Sequence, residues 1–186
     1  MLAHYHQDLS ADAASRPVSN ETLKSLKFHL YPRQHSKAPS LEDKFKAISR
    51  ELGFPWESEL LRFDITSNEM IESMKEMVEY YTKDRVIEPY DILWMFTRGN
   101  ASLDIEEPWT NSTIRLTVNE GESILIPAGA YHRYALSVNS GSDLRMWAMY
   151  KTSDRSYLEA DLPPLIFGEE AEQHPARQAY LESIRP

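Results

Sequence analysis

The chain has 186 residues, 41% of them hydrophobic and 11% aromatic, with a formal net charge of −9 at pH 7 and no cysteine. This is enough apolar mass for a packed core. The acidic balance excludes nucleic acid or an anionic membrane as a partner, and the missing cysteines exclude disulfides, thiolate metal sites and a cysteine nucleophile.

Residues 1–18 are polar and irregular and are expected to form an arm. They show no apolar signal-peptide core, and no 18-residue apolar window follows, so the chain is expected to be soluble and cytoplasmic. His4 and His6 form an H-x-H pair, but in a polar arm this spacing reads as coincidence. Asn100-Ala101-Ser102 and Asn111-Ser112-Thr113 match the glycosylation pattern and read as chance in a cytoplasmic chain.

Ser19 to Thr22 offer helix caps ahead of Leu23, Leu26 and Phe28, which predicts a short helix. After a turn-rich link from Pro32 to Pro39, Ser40 caps a helix running to about Leu52, closed by Gly53. Residues 59–65 read as a strand. Residues 68–82 read as a helix with an apolar stripe of Met70, Ile71, Met74, Met77, Val78 and Tyr81, the methionines serving as core filler.

From residue 84 the texture changes. The segments 91–97, 101–105, 113–118, 123–126, 132–137 and 144–151 are short β-like runs separated by Gly- and Asn-rich turns, the pattern of a sandwich or barrel. A last helix is expected over about 174–183. The expected organisation is one domain over 1–186. Within it, an N-terminal arm and helices occupy 1–83, the barrel core 84–160 and a C-terminal tail and helix 161–186.

Gly121–His132 reads GESILIPAGAYH and fits G-x5-P-x-G-x2-H, the second motif of the cupin barrels. The run from Gly121 to Leu136 is similar to "GDMITLPAGIYHRFTL" of the acireductone dioxygenases. Val18–Leu26 and Ile48–Trp56 are weaker matches, in the same order, to that family's "SLEQLRKLG" and "IRKERNYSW". The chain therefore resembles the acireductone dioxygenases, cupin enzymes of methionine salvage. The resemblance implies a mainly β, double-stranded β-helix (jelly-roll) barrel with several N-terminal helices and a C-terminal helix.

The family carries H-x-H-x3-E on an earlier strand, with the motif histidine as fourth ligand of an Fe or Ni ion. Counting back from Asp91-Ile92-Leu93-Trp94, these positions fall on Arg85, Ile87 and Asp91, and only His132 matches. The family's substrate-binding arginine falls on Leu93 and a second one near Ala148, with Arg145 three residues away. Isoleucine cannot ligate and a guanidinium repels a metal, so the four-ligand centre is expected to be lost and no cofactor is expected.

If the strands keep the family's alternation, Arg85, Ile87, Asp91, Leu93 and Met95 point inward with His132 and Tyr134. Asp91, His132, Arg85 and Tyr134 are the catalytic candidates. Ile87, Leu93, Met95, Trp147 and Arg145 are the substrate-binding candidates. An Asp–His–Tyr–Arg cluster in an apolar pocket suits metal-independent isomerisation, dehydration or cyclisation of a small molecule, as in specialised biosynthesis.

The alternatives are a metal-dependent dioxygenase with a rearranged set (His132, Asp91 and Glu88 holding Fe or Ni) and a non-catalytic binding protein. For single residues, His132 is weighed against a hydrogen-bonded core histidine and Asp91 against a structural pair with Arg85. Glu88 and Tyr90 read as rim residues, Arg133 as outward-facing, and Trp94, Trp109 and Trp147 as packing. The expected partner is a small-molecule substrate, with the protein a monomer or homodimer.

Overall fold

The computed structural model describes residues 2–6, 16–35, 38–55, 60–65, 84–135, 144–154 and 165–185. The predicted helix over 68–82 lies outside them. In chain order the elements are β1 (Leu2–His6), α1 (Asn20–Ser25), β2 (His29–Tyr31), α2 (Leu41–Glu51), β3 (Leu61–Ile65), β4 (Val86–Ile87), β5 (Ile92–Arg98), β6 (Ala101–Glu107), β7 (Ser112–Val118), β8 (Ser123–Ile126), β9 (His132–Ala135), β10 (Leu144–Tyr150), β11 (Ile166–Phe167), α3 (Gly168–Gln173) and α4 (Pro175–Ser183).

The strands form two antiparallel sheets, ordered β1-β7-β6-β9-β4-β11 and β2-β8-β5-β10-β3. Their inner faces meet in one core. Leu103, Ile105, Ile114, Leu116 and Tyr134 come from the first sheet, and Ile92, Trp94, Phe96, Ile124, Ile126, Met146 and Ala148 from the second. This is the jelly-roll arrangement expected of the turn-punctuated strands. No helix among the described residues is long and apolar enough to cross a membrane.

The N-terminal third differs from the expectation of helices packed on a barrel. Besides the expected strand over 59–65, seen as β3 paired with β10, it contributes two further strands, β1 paired with β7 and β2 with β8. The H-x-H pair of the supposed arm is therefore part of a strand, with His4 opposite Arg115. Trp109, expected to pack, is 50% exposed.

The two predicted N-terminal helices form where their caps indicate. The Ser19 hydroxyl accepts from the Thr22 amide at 3.1 Å, and the Ser40 hydroxyl from the Asp43 amide at 3.1 Å. Each such cap contributes about 1 kcal/mol by satisfying an orphan amide. Helix α2 packs on the outer face of the second sheet. Its Phe45 and Ile48 join Tyr31, Phe54, Leu93, Met95, Leu125 and Met149 in a second core. Burying each such side chain contributes about 2 kcal/mol.

The second core decides where β5 points its side chains. All residues from Ile92 to Phe96 are buried, on both faces of the strand. Ile92, Trp94 and Phe96 lie in the inner core, while Leu93 and Met95 lie under α2. The inward parity is therefore the opposite of that expected. A one-residue offset moves every side chain of a strand to the other face.

Candidate active site

His132 opens β9, immediately after the turn Pro127–Tyr131, and pairs across the first sheet with Ile105 on β6 and Val86 on β4. The turn is shaped by Gly129 at φ +75°, which presses so close to α4 that a Cβ there would lie 2.1 Å from the Ala176 carbonyl oxygen. Only glycine suits that backbone and that approach. The Gly129 amide also donates to the Glu88 carbonyl oxygen at 2.9 Å, which ties the motif turn to the end of β4.

His132 is 1% exposed. Its Nδ1 lies 3.0 Å from the Ala130 carbonyl oxygen. A carbonyl only accepts, so Nδ1 carries the proton and Nε2 the lone pair. The Tyr134 hydroxyl donates to that lone pair at 3.3 Å, with the two rings edge to face. Burial lowers the His132 pKa to about 4, so the imidazole is neutral at ordinary pH.

Glu88 is 2% exposed, and neither carboxyl oxygen has a hydrogen-bond partner among the described residues. Burial alone raises its pKa well above the usual carboxylate range. Ile87 lies on the outer side with Tyr131, Ile166 and Ala171. Alternation along an extended chain then puts Val86, the register partner of His132, and Glu88 on the inner face. Read from the sequence as a rim residue, or as a ligand in the alternative metal set, Glu88 is buried in the structure.

Next to Tyr134 the sheets leave only a small apolar void of about 10 Å³, room for about one water. Its walls include Trp94, Phe96, Leu103, Ile124, Ile126 and Tyr134. The Trp94 ring lies 5.2 Å from Tyr134 on one side and stacks on Phe63 at 5.8 Å on the other. The indole N–H of Trp94 is buried and has no hydrogen-bond partner among the described residues.

Of the four catalytic candidates, the structure brings His132 and Tyr134 together and keeps Arg85 and Asp91 apart from them. The Arg85 side chain is 54% exposed, pairs with Glu106 at 3.1 Å and lies over the Tyr131 ring. Asp91 takes the Ala128 amide at 2.9 Å and faces Lys151 at 3.7 Å. Each has a structural partner, and the expected Arg85–Asp91 pair is replaced by these two.

The substrate-binding candidates also fall outside the barrel interior. Ile87 sits in the outer cluster with Tyr131, and Leu93 and Met95 sit under α2. Trp147 packs edge-on against Phe45 at 6.2 Å, and Arg145 is exposed. Arg133 faces outward as expected and shares the buried Asp104 with Arg115.

Laid on the inward face, the spacing H-x-H-x3-E falls on Val86, Glu88 and Ile92, and the position two residues later on Trp94. The sequence carried one signal for this assignment: Glu88 is an ionisable residue among the apolar Val86, Ile87 and Pro89. As a test of fit for Fe or Ni, the Glu88 carboxyl and His132 Nε2 are suitable donors, but Val86 and Ile92 are not. No group of three His, Asp or Glu side chains able to hold a metal occurs among the described residues. Two donors are short of the three or four that hold such an ion, so the described residues do not fit it.

No family model matches the chain. It is 25% identical over 190 residues to "Acireductone dioxygenase 1" of Coprinopsis cinerea, covering 99% of this chain and 98% of the relative. It is 23% identical over 172 residues to "Acireductone dioxygenase 4" of Oryza sativa subsp. japonica, covering 91% of this chain and 82% of the relative. Among solved structures it is similar to the acireductone dioxygenase from Bacillus anthracis, described with a cadmium ion in its active centre. That likeness has a TM-score of 0.60 and 12% identity and covers 81% of this chain and 92% of the other.

Proposed function

We propose that this acireductone dioxygenase-like cupin is a metal-independent enzyme performing acid–base chemistry on a small carbonyl compound. The reaction class is isomerisation, dehydration or cyclisation. The observations that support this reading are the buried Glu88 carboxyl, with neither oxygen paired among the described residues, and the buried His132–Tyr134 pair.

The two titratable groups are driven in opposite directions. Burial keeps Glu88 protonated, able to give a proton to a carbonyl oxygen, and keeps His132 unprotonated, able to take one from the adjacent carbon. In the isomerisation, Nε2 of His132 takes the C–H proton, that electron pair forms the C=C bond of the enol, and Glu88 protonates the oxygen. Reprotonation at a different carbon completes the shift. The carboxylate and imidazolium produced midway offset each other in the low-dielectric interior.

A second reading is favoured by the relatives, which are named as dioxygenases, and by the cadmium described in the Bacillus anthracis protein. In it, His132 and Glu88 hold a metal with help from residues beyond the described ones.

Metal content separates the two. Untagged protein expressed with added Fe, Ni and Mn, and purified without chelators, is expected to carry far less than one ion per chain by plasma mass spectrometry. A value near one ion per chain overturns the metal-independent reading. For the acid–base assignment, deuterium uptake at carbons next to the carbonyl is followed by NMR across a panel of small cyclic ketones. Uptake is expected to fall about 100-fold or more in Glu88→Gln and His132→Gln. Unchanged uptake in both variants sinks that assignment.

A further inference from the structure

Arg177 lies on α4 and is only 3% exposed, although it carries a full charge. Its Nη2 donates to the Glu106 carboxylate and its Nη1 to the Gly129 carbonyl oxygen at 3.4 Å. The guanidinium stands 4.2 Å from the centre of the Tyr131 ring. Glu106 also takes Arg85 at 3.1 Å. A buried ion pair adds little net stability over well-packed hydrocarbon, because the cost of desolvation offsets the attraction. An uncharged side chain of similar length would fill the same space, so the charge calls for a reason other than filling.

The contacts of Arg177 converge on one peptide unit. Gly129 and Tyr131 flank Ala130, and the Ala130 carbonyl oxygen accepts from His132 Nδ1 at 3.0 Å. That acceptor decides which ring nitrogen carries the proton. On one side of Ala130, the Gly129 carbonyl is held by Arg177 and the Gly129 amide by the Glu88 carbonyl oxygen. On the other, the Tyr131 ring lies against Arg177, and the Tyr131 carbonyl oxygen accepts from the Glu106 amide at 3.1 Å. Strand pairing gives thinner support here, since β4 is two residues long and meets β9 only at Val86 and His132.

We infer that Arg177 is a positioning residue: by gripping Gly129 and Tyr131 it fixes the Ala130 carbonyl, and so holds His132 in the tautomer whose Nε2 lone pair faces the Tyr134 hydroxyl. In the other tautomer Nε2 carries a hydrogen and cannot act as a base. The catalytic consequence rests on the acid–base reading of the site; the tautomer itself does not.

The test reads the ring nitrogens directly. Full-length protein carries isotope-labelled histidine, and proton–nitrogen correlation spectra at neutral pH separate protonated nitrogens from those with a lone pair. His132 is picked out among the six histidines by its loss in His132→Gln. Wild type is expected to show a single His132 tautomer, protonated at Nδ1. Arg177→Met keeps the side-chain length and removes the charge, and Glu106 keeps Arg85, so its carboxylate is not left alone. In that variant the ratio of the Nδ1–H to the Nε2–H form is expected to fall about fivefold or more, the size of one hydrogen bond. Arg177→Lys keeps a charge beside Glu106 but loses the planar fork that reaches Glu106 and Gly129 together. It is expected to move the ratio the same way by less.

A lower melting temperature in Arg177→Met with the wild-type tautomer intact would show a merely structural residue and overturns the inference. If Arg177→Met fails to fold, an unchanged ratio in Arg177→Lys overturns it equally. So does a wild type that already holds both tautomers. The spectra need no turnover, which keeps this result apart from the acid–base reading. A single tautomer in wild type, lost in Arg177→Met, together with no ketone deuteration would sink that reading and leave the role of Arg177 standing.

Discussion

Glu88 and His132 have a consequence for stability that is separable from any substrate. The folded His132 pKa is about 4 against 6.5 for the free side chain. Between those values the unfolded chain binds a proton that the folded chain does not, so stability falls as pH falls from 6.5 to 4. The loss at the bottom of that window is about 3 kcal/mol. Glu88 acts in the opposite sense, because its folded pKa is raised above 4.5. Its contribution is full below 4.5 and is lost as pH rises through the folded value. Melting curves across pH 4–9 test both. In His132→Gln the acid-side loss should shrink by about that 3 kcal/mol, and Glu88→Gln should melt higher than wild type at alkaline pH and not at pH 5. An identical pH profile in wild type and both variants would mean that neither group is buried as described.

At the scale of single elements, the motif turn and α4 depend on each other through Gly129. The Ala176 carbonyl oxygen occupies the space where a Cβ would go, and the Gly129 carbonyl oxygen in turn accepts from the buried Arg177 at 3.4 Å. Both groups at the close approach are backbone, so neither can swing away. Gly129→Ala is expected to cost about 3 kcal/mol or more, from the strained φ together with the overlap. The loss should appear in the melting temperature and as faster amide exchange in α4. An unchanged melting temperature would show that α4 is free to move off the turn.

Elements with this kind of local signature were legible in the sequence. The Ser19 cap indicated α1, and the Ser40 cap, the Gly53 stop and the Gly- and Asn-marked turns placed α2 and strands β5 to β8 and β10 to within two residues at each end. What the sequence did not reveal was which face of β5 points inward. The run Ile92–Phe96 is apolar at every position because α2 buries the outer face as thoroughly as the opposite sheet buries the inner one. With no polar side to break the symmetry, the register had to be borrowed from the family spacing, and it came out one residue off. That offset moved Arg85, Asp91, Leu93 and Met95 into the expected interior, left Trp94 out of it and kept Glu88 only in the alternative metal set. His132 and Tyr134 were placed correctly because the motif turn, which has its own glycine and proline, sets their parity independently.

For the whole molecule, the question is whether folding needs an ion. The inner core is continuous hydrocarbon and aromatic packing from both sheets, and α2 adds a second apolar layer outside. The described interior is therefore largely filled by its own side chains. A metal that bound the folded state alone at a hundred times its dissociation constant would add about 2.7 kcal/mol. In a chain of this size each kcal/mol moves the melting temperature by about 2–4 °C. A resident ion would then be visible as a fall of roughly 5–10 °C on chelation and a matching rise on adding Ni or Fe. The expected outcome is no shift beyond about 1 °C in either direction. A fall on chelation that is restored by one particular metal would mean that residues outside the described segments complete a metal site around His132 and Glu88. The acid–base reading would then give way to metal chemistry in the same barrel.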